Sequence, residues 1–224
     1  MLYKIAHILR DRIPWLWDAV NAANSFLFEI RYGKILKRVE ADSFVVIENE
    51  LEDSESGIYK IARLREIDAN RMVSFFARQP QDAFLFFKPH GFDVRSIRNL
   101  QRNRAFLSYV IIDSAKDEIV GYCFNRSFFH GKGFRGRMVD INYRGKGVGT
   151  MMNRLLNDIG FGIGLRLFET VSKDNVPSYR SAVSASGIKV VKELPHNELF
   201  LEIISDMYLK NNRDLYQSGG VKLK

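Results

Sequence analysis

The chain has 224 residues, 46% of them apolar, with 34 basic and 26 acidic side chains and one cysteine. That is enough apolar material for one large domain, or a domain plus an extension, and it excludes a disordered chain. The single Cys123 excludes an internal disulfide framework and points to a reducing compartment, while His7, His90, His130 and His196 are scattered without metal-ligand spacing, so no metal is expected. The net charge of +8 suits an anionic partner. No apolar run reaches membrane-spanning length, and the opening MLYKIAHILRDR lacks the long uncharged core of a signal peptide, which makes the cytoplasm the expected location.

Residues 1 to about 40 read as a basic helical extension. A short helix is expected over Leu2–Arg10, and Pro14 then opens a second one as a first-turn proline. In that second helix Leu16, Val20, Ala23, Leu27 and Ile30 follow one face with Phe26 beside them. Arg31, Lys34, Lys37 and Arg38 gather near its expected C-terminal end, where the helix dipole favours cations, and Trp15 and Trp17 stand near its start. Two fates fit such a helix. One is packing on its own domain or on a second copy in a homodimer; the other is lying on an anionic membrane as a peripheral contact. Packing is the preferred reading, because most amphipathic helices bury their stripe in protein. Ser43–Glu48 (SFVVIE) reads as a short strand. Glu48–Gly57 (ENELEDSESG) is acidic and nearly free of apolar residues, so a linker is expected there with a domain boundary near residue 57.

From residue 58 the pattern changes. Ile58–Arg65 alternates as a strand, Glu66–Phe76 has helical spacing, and Val94–Gln101 reads as a second helix. Between those helices, Gln79–Asp93 (QPQDAFLFFKPHGFD) packs Phe84, Phe86, Phe87, Pro89, His90 and Phe92 among turn residues. Ala105–Asp113 and Glu118–Phe129 form a hairpin across Ser114–Asp117, with Cys123 in an apolar strand where core packing is its default role. His130–Gly133 turns the chain into a third strand, Phe134–Ile141. Gly131–Gly136 spells G-x-G-x-x-G, but a strand rather than a helix follows it, so it is not read as a dinucleotide site.

Tyr143–Ile159 (YRGKGVGTMMNRLLNDI) is the most informative stretch. Val148, Met151, Met152, Leu155, Leu156 and Ile159 recur at helical period, and Thr150, Asn153, Arg154, Asn157 and Asp158 take the opposite face. Gly145, Gly147 and Gly149 therefore sit at a strand-to-helix turn. Glycines let a ligand approach the backbone, and the first free N–H groups of the helix, its dipole, Arg144 and Lys146 all favour an anion there, most often a phosphate. A surface turn before an ordinary core helix is the alternative. Gly160, Gly162 and Gly164 end the helix, Leu165–Val171 is a strand, Asn175 and Pro177 start another helix that Gly187 closes, and Ile188–Leu194 with Leu199–Ile204 make a final pair of strands. Asp206–Lys224 is a polar, basic tail.

Arg144-Gly145-Lys146-Gly147-Val148-Gly149 after a strand resembles the R-x-x-G-x-G acyl-CoA-binding signature of the GNAT superfamily of N-acetyltransferases. The element order of roughly residues 58–205 is similar to that fold as well: an α/β (α+β) domain with a mixed, largely antiparallel sheet flanked by helices, here preceded by a helical extension (1–57) and followed by a tail (206–224). The resemblance implies an acyl-CoA N-acyltransferase, most simply one carrying acetyl from acetyl-CoA to a primary amine of a small molecule such as an amino sugar, or of a protein. It leaves the first 57 residues unexplained. Of the anionic partners compatible with the charge, coenzyme A is then favoured, and nucleic acid is not expected, since zinc-finger spacing and an aromatic-basic RNA signature are both missing.

The resemblance also implies roles. Val139 stands where the family's strand places backbone groups against pantetheine and the thioester carbonyl, and Ile141 where the family often has proline. With Arg144, Gly145, Lys146, Gly147, Val148, Gly149 and Thr150 they form the expected CoA site, joined by Asn175 and Ser178, which match an N-x-x-[AS] pattern; Asn175 equally suits a plain helix cap. Acyl transfer needs a path for the amine proton, donors for an oxyanion, and a proton for the leaving sulfur. The acid and base are poorly marked: Ala182 and Val183 occupy the region of the family's tyrosine, and Gly136 and Arg137 that of its glutamate. Asp140, Glu169, His130 and Tyr179 are the nearest candidates, with strand alternation pointing Asp140 away from the face of Val139. The acceptor is expected over Phe84, Phe86, Phe87 and His90, whose alternative role is a core plug. Few acids border that loop, so a neutral or anionic acceptor is expected over a polyamine. The competing reading is a CoA-binding module with weak or lost catalysis, docked to a membrane or partner by its basic arm.

Overall fold

Strand alternation builds this molecule, because its central strands are covered on both sides. The computed structural model describes residues 14–52, 59–185 and 187–204. One seven-stranded sheet holds β1 (Tyr59–Arg63), β2 (Phe106–Asp113), β3 (Glu118–Phe128), β4 (Lys132–Val139), β5 (Arg166–Ser172), β6 (Gly187–Leu194) and β7 (Glu198–Ile204) in the order β1-β2-β3-β4-β5-β7-β6. All neighbours are antiparallel except β4 and β5. The expected mixed, largely antiparallel sheet is therefore present. The β2–β3 hairpin turns on Asp113, whose side chain accepts from the N–H groups of Ala115 and Lys116. The registers Ile112↔Ile119 and Ile111↔Gly121 leave Val120 as a bulge, which shifts the alternation of β3 by one residue.

Each face of the sheet has its own core. On one side, Leu107, Tyr109, Ile111, Val120 and Cys123 pack against α1 (Pro14–Glu52) and α4 (Val148–Gly162). On the other, Val110, Ile112, Tyr122, Phe124 and Met138 pack against α2 (Ala69–Ala77) and α3 (Val94–Arg102). Both short helices are capped by aspartates that accept backbone N–H bonds, Asp68 from Asn70 and Asp93 from Ser96. The last helix, α5 (Val176–Ala185), covers β5 beside α4.

The N-terminal region departs most from expectation. Pro14 does open a helix, but α1 runs for 39 residues, straight through the segment read as a strand over Ser43–Glu48. Packing overrides the β-propensity of SFVVIE: Phe28, Tyr32, Leu36, Glu40, Ser43 and Ile47 form one buried stripe, and Phe44 meets Tyr109 edge to face. Polar anchors set that stripe. Glu40 is buried against Arg63 Nε (2.7 Å) and the Tyr109 hydroxyl (2.8 Å), Glu48 accepts from the Ile61 N–H, and Asn24 bonds Ser127 O and Phe129 N. The stripe expected to bury is instead outward: Val20, Phe26, Leu27 and Ile30 are exposed. Arg31, Lys34, Lys37 and Arg38 consequently lie in mid-helix, so the dipole does not explain them. Of the linker expected over Glu48–Gly57, residues Glu48–Glu52 are instead the last turn of α1, where Glu48 is held by the Ile61 N–H. Its remainder with the boundary near residue 57, the expected helix over Leu2–Arg10 and the tail from Asp206 lie outside the described residues. No helix among the described residues is long and apolar enough to cross a membrane.

Candidate functional site

The glycine turn begins where β4 stops. The strand ends at Val139, two residues before the expected end, because Asp140 caps a short 3-10 turn over Ile141–Tyr143 by accepting the Asn142 N–H. Tyr143 then fastens the turn to the β2–β3 hairpin. Its buried hydroxyl donates to Asp113 Oδ2 (2.7 Å) and accepts from Lys116 Nζ (3.2 Å). Burial, with the Asp113 carboxylate beside it, raises the Tyr143 pKa. Arg144 and Lys146 are exposed, with Lys146 Nζ 4.6 Å from the centre of the Tyr143 ring.

Gly145 and Gly147 have φ of +76° and +80°, a conformation that strains any residue with a side chain. A Cβ built on either would meet no protein atom within 4 Å, so both face open space. Gly147 is the N-cap of α4 and offers no side chain to bond the first N–H groups; the first helical bond runs from Met151 N to Gly147 O. The amides of Val148, Gly149 and Thr150 are thus the helix's free N-terminal donors, flanked by two cations. This fits the phosphates of a nucleotide-like cofactor: open space, donors and positive charge coincide.

The turn opens onto a gap in the sheet. β4 pairs with β5 only from Lys132 to Phe134, against Arg166 to Phe168, and beyond that the two strands diverge. Asp140 donates its N–H to Val120 O on the β3 side, so the N–H and C=O of Val139 point the other way, toward the gap. The Val139 side chain lies over the start of α4, its Cγ2 3.6 Å from where a Cβ on Gly149 would stand. Among the residues expected at the cofactor, Val139, Arg144, Gly145, Lys146, Gly147, Val148, Gly149 and Thr150 are brought together here. Ile141 sits on the 3-10 turn and is exposed.

The crotch of the gap holds an ionic cluster that sequence reasoning missed. Arg135 is buried, bonding Glu169 Oε2 (2.8 Å) and Asn157 Oδ1. Arg137 also reaches Glu169 Oε2 (3.1 Å) and crosses to α5, where its Nη2 donates to the Ser178 carbonyl (2.8 Å) and hydroxyl (3.1 Å). Burial pushes the Glu169 carboxyl up, but the two guanidiniums outweigh that and hold it below the ordinary range. Alternating arginines on a strand were the available signal: Arg135 and Arg137 share the face of Val139, which is the face under α4.

The remaining candidates are scattered. Asp140 is buried, with one carboxylate oxygen on the Asn142 N–H and the other on Gln79 Nε2 (2.8 Å) and Arg78 Nη2 (3.4 Å). Asn175 caps α5 by accepting from the Ser178 N–H. Tyr179 packs on Val171, Leu199 and Leu201, and His130 lies at the far end of β4, stacked on Phe128. Cys123 is a buried free thiol whose pKa burial pushes up.

On the opposite face, the aromatic loop divides. Phe84, Phe87 and Phe92 pack into the core with Phe76, Tyr122 and Phe124, whereas Leu85 and Phe86 are exposed. His90 sits inside the ring cluster. Its Nδ1 lies 2.8 Å from Gly91 O, which only accepts, so the proton belongs on Nδ1 and Nε2 accepts from the Tyr122 hydroxyl (2.9 Å). Burial lowers the His90 pKa, and Arg126 pushes the same way. Among the described residues no group of three or more His, Cys, Asp or Glu is placed to hold a metal ion.

No family model matches the chain and no curated protein matches it in sequence. In structure it is similar to the GNAT domain of S. lividans PAT, at 13% identity and a TM-score of 0.57 over 66% of this chain and 90% of that one. It is also similar to ribosomal-protein-S5-alanine acetyltransferase from Vibrio fischeri (18%, 0.54, 67% and 94%). A third likeness is to AAC(6')-Ib in complex with parmomycin and acetyl-CoA (12%, 0.54, 69% and 97%). The chain has the fold of the GNAT acetyltransferases, with its glycine turn and strand gap at the start of α4.

Proposed function

We propose that this protein is an acyl-CoA-dependent N-acyltransferase that carries an acyl group, most simply acetyl, to a primary amine. The observation behind this reading is the coincidence of three features: free α4 amides flanked by Arg144 and Lys146, open space over Gly145 and Gly147, and the outward Val139 N–H at the mouth of the β4–β5 gap. Coenzyme A supplies the thioester and its leaving sulfur. Arg144 through Thr150 would hold its phosphates. The Val139 N–H, fixed by the pairing of Gly121 with Val139, is a donor for a carbonyl oxygen that gains charge.

Proton transfer is assigned to no single carboxylate. Asp140 spends its oxygens on Asn142, Gln79 and Arg78, which makes it the residue that positions the end of β4. Glu169 is held ionised between two arginines, and a carboxyl pKa depressed in this way makes a weak base. A weakly basic amine losing its proton to water fits this site. Over the aromatic loop, Phe86 and Leu85 face solvent, and Asp93 is engaged in capping α3, which favours a neutral or anionic acceptor such as an amino sugar, or a protein amine.

A second reading, a CoA-binding module with little catalysis, draws on the same contacts: Arg137 bridges the gap to Ser178, and both nearby carboxylates are engaged. Calorimetry with acetyl-CoA and turnover with a panel of amines separate the two. Uptake that falls about a hundred-fold in Arg144→Glu, with transfer to a neutral or anionic amine, is the expected result. Uptake without transfer to any amine favours the module, and no uptake at all rejects both.

A further inference from the structure

The outward face of α1 is the largest feature the site does not use. Trp15 (71% exposed), Phe26 (67%) and Ile30 (68%), with Val20 and Leu27, put a row of large apolar side chains in solvent along the first half of the helix. These are not the loose side chains of a poorly seated helix, since the opposite side is anchored by Phe28, Tyr32 and the two Asn24 bonds. Phe129, at the β3–β4 turn that accepts from Arg31 and Tyr32, adds another exposed ring beside the helix.

The charges around this row are mainly basic. Arg31, Lys34, Lys37 and Arg38 are exposed and continue it toward the C-terminus. Alongside, Arg95, Arg98 and Arg102 of α3 line a cleft of about 620 Å³ with Asp18 of α1. Among the acids of α1 whose side chains are described, Asp18 lines that arginine cleft, Glu29 lies over Gly33, Glu40 pairs with Arg63, Glu48 accepts from the Ile61 N–H, and Asp42 lies 3.9 Å from Arg38 within the row. An apolar ridge rimmed by cations matches an anionic bilayer, where rings and aliphatic chains enter the acyl boundary and Lys and Arg reach the headgroups. A second copy of this chain fits less well, because a two-fold contact through the ridge would bring Arg31, Lys34, Lys37 and Arg38 of both copies together, with Asp42, already 3.9 Å from Arg38, to offset them.

We infer that α1 is a membrane-docking surface: the protein lies on anionic lipid through Trp15, Phe26, Leu27 and Ile30, with Lys34, Lys37 and Arg38 on the headgroups. The helix stays on the surface, since it is not apolar enough to span. This inference is independent of acyl transfer, as the ridge shares no residue with the glycine turn.

The test is flotation of the full chain with vesicles of phosphatidylcholine alone and of phosphatidylcholine with about a third phosphatidylglycerol, alongside tryptophan emission. Binding is expected to the anionic vesicles only, with a blue shift in emission. The double variant Phe26→Glu/Ile30→Glu should weaken it at least about ten-fold, and Lys34→Glu/Lys37→Glu/Arg38→Glu about a hundred-fold. All of these positions are exposed; circular dichroism and acetyl-CoA uptake of the variants serve as controls on the fold. No binding to anionic vesicles, binding indifferent to Phe26→Glu/Ile30→Glu, or equal binding to phosphatidylcholine alone would each overturn the inference. So would a dimer in sedimentation equilibrium that Ile30→Glu dissolves while vesicle binding is unaffected.

Discussion

Helices α1 and α4 pack side by side on the same face of the sheet and use their two sides in opposite ways. α4 buries its apolar stripe and much of its polar side as well: Asn153 donates to Ser181 O and Oγ, Asn157 accepts from Arg135, and Asp158 is buried. α1 buries a stripe containing Glu40 and Ser43 while an apolar row faces solvent. Periodicity reports that a helix has faces. Which face is covered depends on the partners available, and here those are polar anchors from distant strands.

Paired truncation on α1 breaks this comparison most directly. Phe28→Ala should cost about 3–5 kcal/mol in chemical denaturation, as for a fully buried aromatic ring, whereas Phe26→Ala, two residues away, should change stability by less than about 0.5 kcal/mol. Similar losses at both positions would mean that the outward row is covered in solution. The matching variant toward α4 is Arg135→Met, which leaves Asn157 Oδ1 without its buried donor and Glu169 with Arg137 alone. A loss of about 3–5 kcal/mol is expected, and a stability equal to wild type would show that the cluster is replaceable by apolar packing.

The contact between the helices gives a smaller effect. A Cβ on Gly162 of α4 would lie 2.6 Å from Cγ1 of Val39 on α1, so Gly162→Ala should push the helices apart at a cost of about 1–3 kcal/mol. The double variant Gly162→Ala/Val39→Ala should recover part of that loss. Absence of any recovery would place the strain elsewhere.

These contrasts also explain what could be read in advance. The glycine turn was legible because its chemistry is local: positive φ at Gly145 and Gly147, the helix start and the two cations all lie within six residues. The succession of elements along the chain and the hairpin were legible from alternation and turn residues. The long α1 was not, because SFVVIE has strand propensity and only tertiary partners such as Tyr109 and Arg63 select helix there. The Arg135–Glu169–Arg137 cluster was hidden for a related reason: its members lie on two strands whose pairing, and whose divergence after Phe134, no single segment encodes. The aromatic loop was legible in composition only; which rings plug the core and which face solvent is decided by Phe76, Tyr122 and Phe124.

That loop supplies the subtlest test, on the other face of the sheet. His90 is neutral in the fold, with the Nδ1 proton on Gly91 O and Nε2 accepting from Tyr122, and burial holds its pKa below the ordinary value of about 6.5. The unfolded chain therefore binds the proton more readily than the folded one. Stability is full above the unfolded pKa and falls as pH drops through it, until the folded pKa is passed and the loss levels off. Protonation would also remove the acceptor of the buried Tyr122 hydroxyl, whose own pKa burial raises. Denaturation midpoints between about pH 7.5 and pH 5 should fall more steeply for the wild type than for His90→Asn, which keeps a donor and an acceptor but does not titrate in this range. Parallel slopes would mean that the imidazole is solvated in the native state and that the loop, like the outer row of α1, is not closed over its rings.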